Sequence, residues 1–328
     1  MRRLGKTDLV INEVGFGGIP IQRVDKETVK DIIKELINQG INFIDTARGY
    51  TISEEYLGEA LIGVRDKFII ASKSMARTYE TMKKDIEISL HNLKTNYLDL
   101  YQCHNVQLGE DISGAIKALL EAKEEGKIRH LGITSHSYEF LDQLLDQDLP
   151  FETIQFPYNF LETKAETLFK KANVKDYGVI TMKPLAGGAI DNGKVAIKYI
   201  LNNPHVSVAI PGMASVEEVK INASVKDFTL TEADYNYIEK VRSELSEDFC
   251  RRCGYCLPCT VGINIPGAFL FEGYYKRYNL KEWAISRYQT LSVKPDACIE
   301  CGKCETRCPY KLKIISKLKE VRKTFAGV

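Results

Sequence analysis

Eight apolar, β-branched runs recur along the first two-thirds of the chain, and each is followed by the spacing of an amphipathic helix. The runs predict buried strands whose ends lie 22 to 31 residues apart. That distance suits one strand, one crossover helix and the loops that join them. The pattern therefore predicts an α/β fold of the (β/α)8 TIM-barrel type. The predicted strand ends are Phe16, Asp45, Ser72, Cys103, Ile133, Gln155, Met182 and Ile210.

A doubly wound open sheet is the alternative architecture for the same alternation of strands and helices. The barrel is preferred because no strand–helix unit begins with a glycine-rich dinucleotide fingerprint. Ahead of the first unit, the alternation around Lys6, Thr7 and Asp8 predicts a β-hairpin that closes the bottom of the barrel. A frayed N-terminal tail is the alternative for that segment.

Composition changes sharply near residue 245. Eight of the nine cysteines follow that point, and residues 245–328 hold 15 Lys and Arg against 8 Asp and Glu, a net charge of +7. The remaining 30 basic and 36 acidic residues give residues 1–244 a net charge of −6. We therefore predict two domains: a barrel of residues 1–244 and a smaller, mostly helical domain of residues 245–328.

The whole chain has the composition of a soluble globular enzyme, with 44% hydrophobic residues, 27% charged residues and a formal charge of +1. Such a balance offers no basic excess for nucleic acid. We recognise neither a signal peptide nor an apolar run of membrane-spanning length. We expect a cytoplasmic protein that binds neither nucleic acid nor membrane.

The cysteines of the second domain form two regular runs. The later run has the spacing C-x2-C-x2-C-x3-C-P, which is typical of the ligands in bacterial [4Fe–4S] ferredoxins. The earlier run is C-x2-C-x2-C-x2-C, so its last cysteine departs from that spacing. Zinc sites and disulfides are the alternatives, but a third cysteine at the same spacing and the terminal Cys-Pro exceed what zinc needs. Cys103 lies alone on a predicted strand and is expected in the core.

Two-cluster ferredoxins exchange the fourth ligand between their runs, and the same crossing is expected here. Without crossing, each run would hold its own cluster. The crossed prediction assigns one cluster to Cys250, Cys253, Cys256 and Cys308, and the other to Cys298, Cys301, Cys304 and Cys259.

Four polar residues follow three successive predicted strands of the barrel: Asp45, Tyr50, Lys73 and His104. Barrel enzymes carry their chemistry at the carboxyl ends of the strands, so these side chains should converge. An Asp–Lys pair beside a tyrosine can lower the pKa of the phenol and let Tyr50 exchange a proton near neutral pH. Taken singly, each residue is better explained by a structural role, whereas the four together are much more specific.

These four residues belong to a wider resemblance: the sequence resembles the aldo-keto reductases over about residues 1–224. The matching segments include FIDTARGY, IASKS, DLYQCHN, GKIRHLGITSH and KPLAGG. The resemblance implies that Asp45, Tyr50, Lys73 and His104 form the catalytic tetrad, with Tyr50 as general acid. The complete chain resembles the subgroup that is fused to a ferredoxin-type domain. The cofactor-binding residues implied by the family are Gly18, Thr134, Ser135, Gln155, Met182, Lys183, Gly212, Ser215 and Asn222.

Two positions depart from the family pattern. Met182 stands where many relatives place an aromatic ring against the nicotinamide, and a thioether packs there less specifically. The loop after the eighth strand carries Glu217 and Glu218 where NADPH-using relatives have basic groups. An acidic group suits a ribose hydroxyl and repels a 2′-phosphate, although Lys220 follows one turn later. NAD(P)H remains the expected nucleotide, and these residues argue against a preference for NADPH without deciding between the two nucleotides.

We therefore expect an aldo-keto reductase-type oxidoreductase acting on a small carbonyl or alcohol substrate. Two [4Fe–4S] clusters would exchange electrons with the barrel site or with a ferredoxin- or flavodoxin-type partner. Because a hydride carries two electrons and a cluster passes one, a flavin is an alternative cofactor. Two other functions stay open: an NAD(P)H-dependent reductase with structural clusters, and a non-enzymatic redox sensor or electron-transfer protein.

Overall fold

The computed structural model describes residues 1–245, 249–276 and 281–327. The chain divides into two compact units. The first consists of Met1–Ala186 and Ile190–Arg242, and the second of Gly187–Ala189 and Ser243–Val328. Within the described residues, no helix is both long enough and apolar enough to cross a membrane.

The first unit is built on parallel strands. An antiparallel pair comes first, β1 (Arg2–Arg3) and β2 (Val10–Ile11). Eight parallel strands follow: β3 (Phe16–Gly17), β4 (Phe43–Asp45), β5 (Ile69–Ser74), β6 (Leu98–Cys103), β7 (Ile128–Thr134), β8 (Thr153–Pro157), β9 (Gly178–Met182) and β10 (Val208–Ala209).

The eight parallel strands close on themselves. Their spatial order from β3 to β10 is the chain order. Parallel bridges between Val14 and Ala209 and between Gly17 and Gly212 join the first strand to the last. The backbone N–H of Gly15 also donates to the carbonyl of Ala209, at 2.8 Å. The predicted (β/α)8 barrel is confirmed, and the open sheet is wrong.

Helices follow the strands as the spacing predicts. The Asp25 carboxylate accepts a hydrogen bond from the backbone N–H of Thr28, and Gly40 ends the same helix at a φ of 71°. The helices of this part of the chain are α1 (Lys26–Gln39), α2 (Ser53–Ala60), α3 (Tyr79–Asn92), α4 (Ser113–Glu124), α5 (Tyr138–Leu144), α6 (Glu166–Val174), α7 (Gly193–Leu201), α8 (Val216–Ala223) and α9 (Glu232–Glu244). Short 3-10 helices cover Ile19–Arg23 and Arg65–Lys67.

The N-terminal hairpin closes one end of the barrel, as predicted. Leu4, Leu9 and Ile11 are buried and share a core cluster with Phe43 and Leu100, which lie inside the barrel. A larger apolar cluster packs the helices against the outside of the sheet. Since the hairpin occupies the end where the strands begin, the opposite end carries the strand termini and their polar residues.

The second unit has a separate apolar core, formed around Ile265, Leu318 and Val321. The rings of Tyr288 and Phe325 stack there, with centroids 4.0 Å apart. The predicted helical character of this region is confirmed. Its helices are α10 (Ile265–Lys276), α11 (Lys281–Gln289), α12 (Lys303–Thr306) and α13 (Ile314–Thr324), with a 3-10 helix at Pro295–Ala297.

Candidate functional site

The structure brings Asp45, Tyr50, Lys73 and His104 to one edge of the barrel. Asp45 ends β4, Lys73 is the penultimate residue of β5, and His104 directly follows β6. Tyr50 lies in the loop after β4. These three strands are hydrogen-bonded parallel neighbours, so their carboxyl ends meet. The edge is the one where barrel enzymes carry their active sites.

A buried ion pair lies at the centre of this group. The Lys73 ammonium donates to the Asp45 carboxylate at 2.5 Å and to the Thr46 carbonyl at 2.8 Å. Both charged side chains are almost fully buried. Burial lowers the pKa of Lys73, whereas the negative charge of Asp45 opposes that shift. The ion pair therefore holds an ammonium group where water cannot solvate it.

The second oxygen of Asp45 is also held in place. It accepts from the side-chain amides of Gln155, at 3.2 Å, and Gln102, at 3.4 Å. These bonds connect β4 to β6 and β8 inside the barrel. Gln102 is a functional candidate that the sequence analysis missed, although its place on a strand two residues before His104 could have indicated it.

Tyr50 lies against both the ion pair and the histidine. The Lys73 nitrogen is 5.0 Å from the centre of the Tyr50 ring, and the Tyr50 and His104 rings meet edge to face at 6.0 Å. Burial and the negative charge of Asp45 raise the pKa of Tyr50. The expectation of a lowered phenol pKa is therefore wrong, because Asp45 neutralises the Lys73 ammonium and burial disfavours phenolate. At neutral pH the hydroxyl is a proton donor.

His104 is neutral at physiological pH. It is buried, and burial together with the positive charges of Lys73, Arg77 and Lys183 holds its pKa well below the ordinary value. The backbone N–H of His104 donates to the Ser74 carbonyl at 2.8 Å. A neutral imidazole can orient a substrate carbonyl but does not carry a proton as a cation.

A second histidine, His136, belongs to the same site as His104. His136 Nδ1 lies 3.0 Å from the Asn105 side-chain oxygen, and its Nε2 lies 2.9 Å from the Lys183 ammonium. Burial and the charge of Lys183 hold the pKa of His136 well below its usual range. Sequence reasoning missed His136, although it follows the predicted contact residue Ser135 and could have been found by extending that strand end.

A buried carboxylate supports the loop that carries Tyr50. Glu54 is almost inaccessible and accepts hydrogen bonds from Ser72, at 2.6 Å, and Ser89, at 2.7 Å. Its other oxygen accepts from Arg48, at 2.8 Å. The backbone N–H of Arg48 donates in turn to the Lys73 carbonyl, at 3.0 Å. Residues on both sides of Tyr50 are thus tied to β5, and no sequence pattern singled them out.

The residues expected at the nicotinamide amide lie at the same edge. Thr134 and Ser135 are buried and already bonded, since Thr134 accepts from the Asn105 backbone and Ser135 donates to the Val106 carbonyl. Gln155 differs, because its buried side-chain oxygen has no hydrogen-bond partner among the described residues. A buried acceptor of this kind fits the N–H of a carboxamide.

Gly18, Met182, Lys183 and Gly212, which are also expected cofactor positions, lie at or just after the ends of β3, β9 and β10. The N–H of Gly18 donates to the Asp45 carbonyl at 2.8 Å, and Gly212 bridges to Gly17. Met182 ends β9, and Lys183 follows it with a φ of 58°. Asn222 is buried on α8.

The start of α8 is already occupied by a side chain of this chain. Ser215 caps the helix by accepting from the backbone N–H of Glu218, at 3.1 Å. The Glu218 carboxylate accepts from the backbone N–H of Ala214, at 2.5 Å. A negative charge therefore stands where the loop would otherwise offer an N–H to an anion.

The eight cysteines of the second unit surround two cavities. Each cavity collects three cysteines of one run and the last cysteine of the other. A cavity of about 320 Å³ is lined by Cys250, Cys253, Cys256 and Cys308. A cavity of about 360 Å³ is lined by Cys259, Cys298, Cys301 and Cys304.

Apolar side chains complete both cavities, and Ile265 lines the two of them. In the part of the chain that is described, no three His, Cys, Asp or Glu side chains converge so closely that they could hold one metal ion. Cys103 belongs to the barrel core, where burial raises the pKa of its thiol to about 12. This agrees with its predicted place in the core.

The model of the aldo/keto reductase family matches residues 13–195. The chain therefore belongs to the aldo/keto reductase family. A second model, for a 4Fe-4S dicluster domain, matches residues 249–313, so the C-terminal part is such a domain.

Individual relatives agree with this assignment. L-galactose dehydrogenase of Arabidopsis thaliana is 28% identical over 300 residues, covering 75% of this chain and 94% of that protein. An uncharacterized oxidoreductase, YqkF of Bacillus subtilis, is 26% identical, covering 72% and 82%. The structure of the aldo-keto reductase AKR11C1 from Bacillus halodurans, in its holo form, superimposes with a TM-score of 0.66 at 27% identity, covering 73% of this chain and 95% of that one. The chain is an oxidoreductase of this family.

The charge states in the barrel predict distinct histidine titrations. His104 and His136 have lowered pKa values, whereas hydrogen bonds to Glu152 and Asp8 raise the pKa of His130. We expect two-dimensional NMR of the imidazole nitrogens at pH 6 to find His130 protonated and the other two neutral. His→Gln variants would assign the signals. Protonation of His104 at pH 6 would contradict this electrostatic description.

Proposed function

We propose that the protein is a carbonyl or alcohol oxidoreductase whose barrel performs two-electron chemistry and whose two [4Fe–4S] clusters exchange single electrons with the barrel site or a redox partner. Residues 1–244 would form the catalytic domain and residues 245–328 the electron-transfer domain. The main support is the convergence of Asp45, Tyr50, Lys73 and His104 around one buried ion pair. A purely structural role would not explain why these four polar side chains converge at the carboxyl ends of the strands.

Tyr50 is assigned the role of general acid. Its raised pKa keeps the hydroxyl protonated at neutral pH, so it can donate to the oxygen of a carbonyl substrate as negative charge develops there. The Lys73 ammonium, 5.0 Å from the ring, stabilises the phenolate left behind. Neutral His104 orients the substrate oxygen. In the reverse direction the same groups accept the proton of an alcohol.

A nicotinamide, when bound, supplies or accepts the hydride. The unpaired oxygen of Gln155 would hold its carboxamide, with Gly18, Thr134, Ser135, Met182 and Lys183 around the ring and Gly212, Ser215 and Asn222 toward the other end of the cofactor. Glu218 favours NADH, because its carboxylate already accepts the Ala214 N–H and repels a 2′-phosphate.

Cysteine thiolates surrounding a cavity suit a cluster of several metal ions. We assign one [4Fe–4S] cluster to each cavity, with Cys308 and Cys259 as the exchanged ligands. When bound, such clusters carry one electron at a time. A flavin is the alternative cofactor for separating an electron pair into single electrons.

Replacing Tyr50 tests the catalytic assignment. We expect Tyr50→Phe to lower the turnover of NADH with 4-nitrobenzaldehyde by about 10²- to 10⁴-fold, the usual contribution of a general acid. Tyr97→Phe is the matched control, since that ring stacks on Arg65 and Arg129 at the other end of the barrel. Equal turnover in the parent and Tyr50→Phe would reject the assignment of Tyr50 as general acid. Iron content and circular dichroism would verify that both variants fold.

Nucleotide preference tests the role of Glu218. Glu218→Gln removes the charge that faces a 2′-phosphate, so NADPH should bind roughly tenfold tighter, about 1.4 kcal/mol, while NADH changes little. Glu217→Gln is the control, because Glu217 is equally exposed on the same helix turn. Fluorescence titration with each nucleotide gives the four affinities. The same small change in both variants would exclude a specific effect of Glu218.

Ligand crossing can be separated from ligation within each run. In a variant with Cys250, Cys253 and Cys256 all changed to Ser, crossing predicts that one cluster of about four irons remains and depends on Cys259. Adding Cys259→Ser should then lower the iron content, whereas adding Cys308→Ser should not. Iron analysis and electron paramagnetic resonance of the reduced proteins measure both. The reverse dependence would establish uncrossed ligation.

If the triple variant does not fold, the single variants give the same answer. Electron paramagnetic resonance of Cys259→Ser should then find the altered cluster to be the one whose other ligands are Cys298, Cys301 and Cys304.

A further inference from the structure

The last third of the second unit is strongly basic. Residues 294–323 contain nine Lys and Arg against four Asp and Glu, a net charge of +5. These charges are not spread evenly through the fold. Lys303, Lys319, Arg322 and Lys323 are all exposed, and the last three follow one another along α13. This helix therefore presents a positive face to solvent.

An open cleft of about 1010 Å³ lies along this helix. Four cations line it, Lys294, Lys319, Arg322 and Lys323, against a single acidic residue, Asp296. Arg322 pairs with Asp296 at 2.8 Å, so the cleft keeps an excess of positive charge. We call these five residues and the cleft they line the basic cleft.

Residues of α13 line both the basic cleft and one cysteine cavity. Ile315 and Leu318 line the cavity of Cys259, Cys298, Cys301 and Cys304, and the next residue, Lys319, lines the cleft. Lys319 also pairs with Glu300 at 2.8 Å, and Glu300 precedes Cys301. A molecule in the basic cleft would therefore lie beside this cavity.

The same cavity reaches the protein surface. Cys301 is exposed, and its neighbour Ile299 is 60% exposed. Both residues line the cavity. An exposed apolar side chain near cations such as Lys303 and Lys319 has the composition of a protein contact, in which charge steers the encounter and the apolar centre loses water.

We propose that the basic cleft and the exposed residues Ile299, Cys301 and Lys303 form the docking surface for an acidic, one-electron carrier protein. The proposal rests on the proposed function, since it requires that the clusters change redox state. Charge complementarity defines the partner. Lys303 lines the cavity that opens at Cys301, and Lys319 pairs with Glu300 beside it, so an acidic surface would bring the partner's redox group to this cavity. Each encounter moves one electron, so that a reduced cluster loses it and the oxidised carrier gains it.

Such a contact is expected to be weak and dependent on salt. Electron-transfer complexes bury small areas and are held largely by long-range charge. A short nucleic acid also carries negative charge, but its binding would not explain why the basic cleft lies beside a cysteine cavity. The acidic carrier is therefore the occupant that accounts for both the charge and its position.

Binding of an oxidised, acidic flavodoxin to the full-length, cluster-loaded protein tests the surface. The double variant Lys319→Glu/Lys323→Glu should bind more weakly. Its dissociation constant, measured by calorimetry at low salt, should rise at least tenfold. The control Lys30→Glu/Lys34→Glu makes the same change in net charge on α1, where both lysines also pair with neighbouring acids. It should change binding less than twofold.

A second readout uses small electron acceptors of opposite charge. Clusters reduced by dithionite each pass one electron to ferricyanide, an anion, or to hexaamminecobalt(III), a cation. In the parent protein, ferricyanide should react faster than hexaamminecobalt(III). Lys319→Glu/Lys323→Glu should lower the ratio of these two rates at least tenfold. The Lys30→Glu/Lys34→Glu control should leave the ratio unchanged.

Several outcomes would overturn the proposal: no flavodoxin binding, binding insensitive to salt, equal loss in both double variants, or binding of a short DNA duplex in place of flavodoxin. Neither readout involves Tyr50 or a nicotinamide. Failure of the barrel chemistry with normal flavodoxin binding would therefore reject the proposed function alone, and the converse result would reject only the docking surface.

Discussion

The buried pair of Lys73 and Asp45 is the interaction on which the rest of the barrel site depends. Two charges removed from water are stable only when they are paired and hydrogen-bonded, so the strands that carry them must be held in strict register. The carbonyl of Thr46 and the amides of Gln102 and Gln155 meet that need. The ends of β4, β5, β6 and β8 are consequently fixed together.

That arrangement determines what Tyr50 can do. With Asp45 so close to Lys73, the ammonium does not turn the phenol into a free phenolate, and burial favours the protonated form further. The same ammonium nevertheless lies near the ring and can stabilise negative charge once the proton has moved. A group that holds its proton until the substrate needs it is suited to a general acid.

Much of the fold was accessible from the sequence because strand periodicity and helix caps are local signals. The positions of Asp45, Lys73 and His104 at the strand ends follow from that periodicity alone. The direction of the Tyr50 pKa shift did not follow, since it depends on burial and on which charge neutralises which. The role of Glu54 was missed for the same reason, because its hydrogen-bond partners, such as Ser89, are far away in sequence.

In the second domain, by contrast, the chemistry of the site was easier to predict from the sequence than the fold was. Cysteine spacing is a chemical signal, and it identified the 4Fe-4S domain and the expected exchange of Cys308 and Cys259 without any knowledge of the fold. The fold adds the two separate cavities, the apolar residue Ile265 that lines both of them, and the basic cleft beside one of them. Under the proposed function, this domain would move single electrons and the barrel site would move electron pairs.

The central claim is that the clusters transfer electrons, and one spectrum tests most directly whether they exchange them with the barrel site. The protein would be purified without oxygen, and its iron–sulfur absorption followed near roughly 400 nm while NADH or NADPH is added. We predict that NADH bleaches this band faster than NADPH does. An unchanged band in a protein that has full iron and sulfide content, and that dithionite can reduce, would contradict direct electron exchange between the barrel site and the clusters.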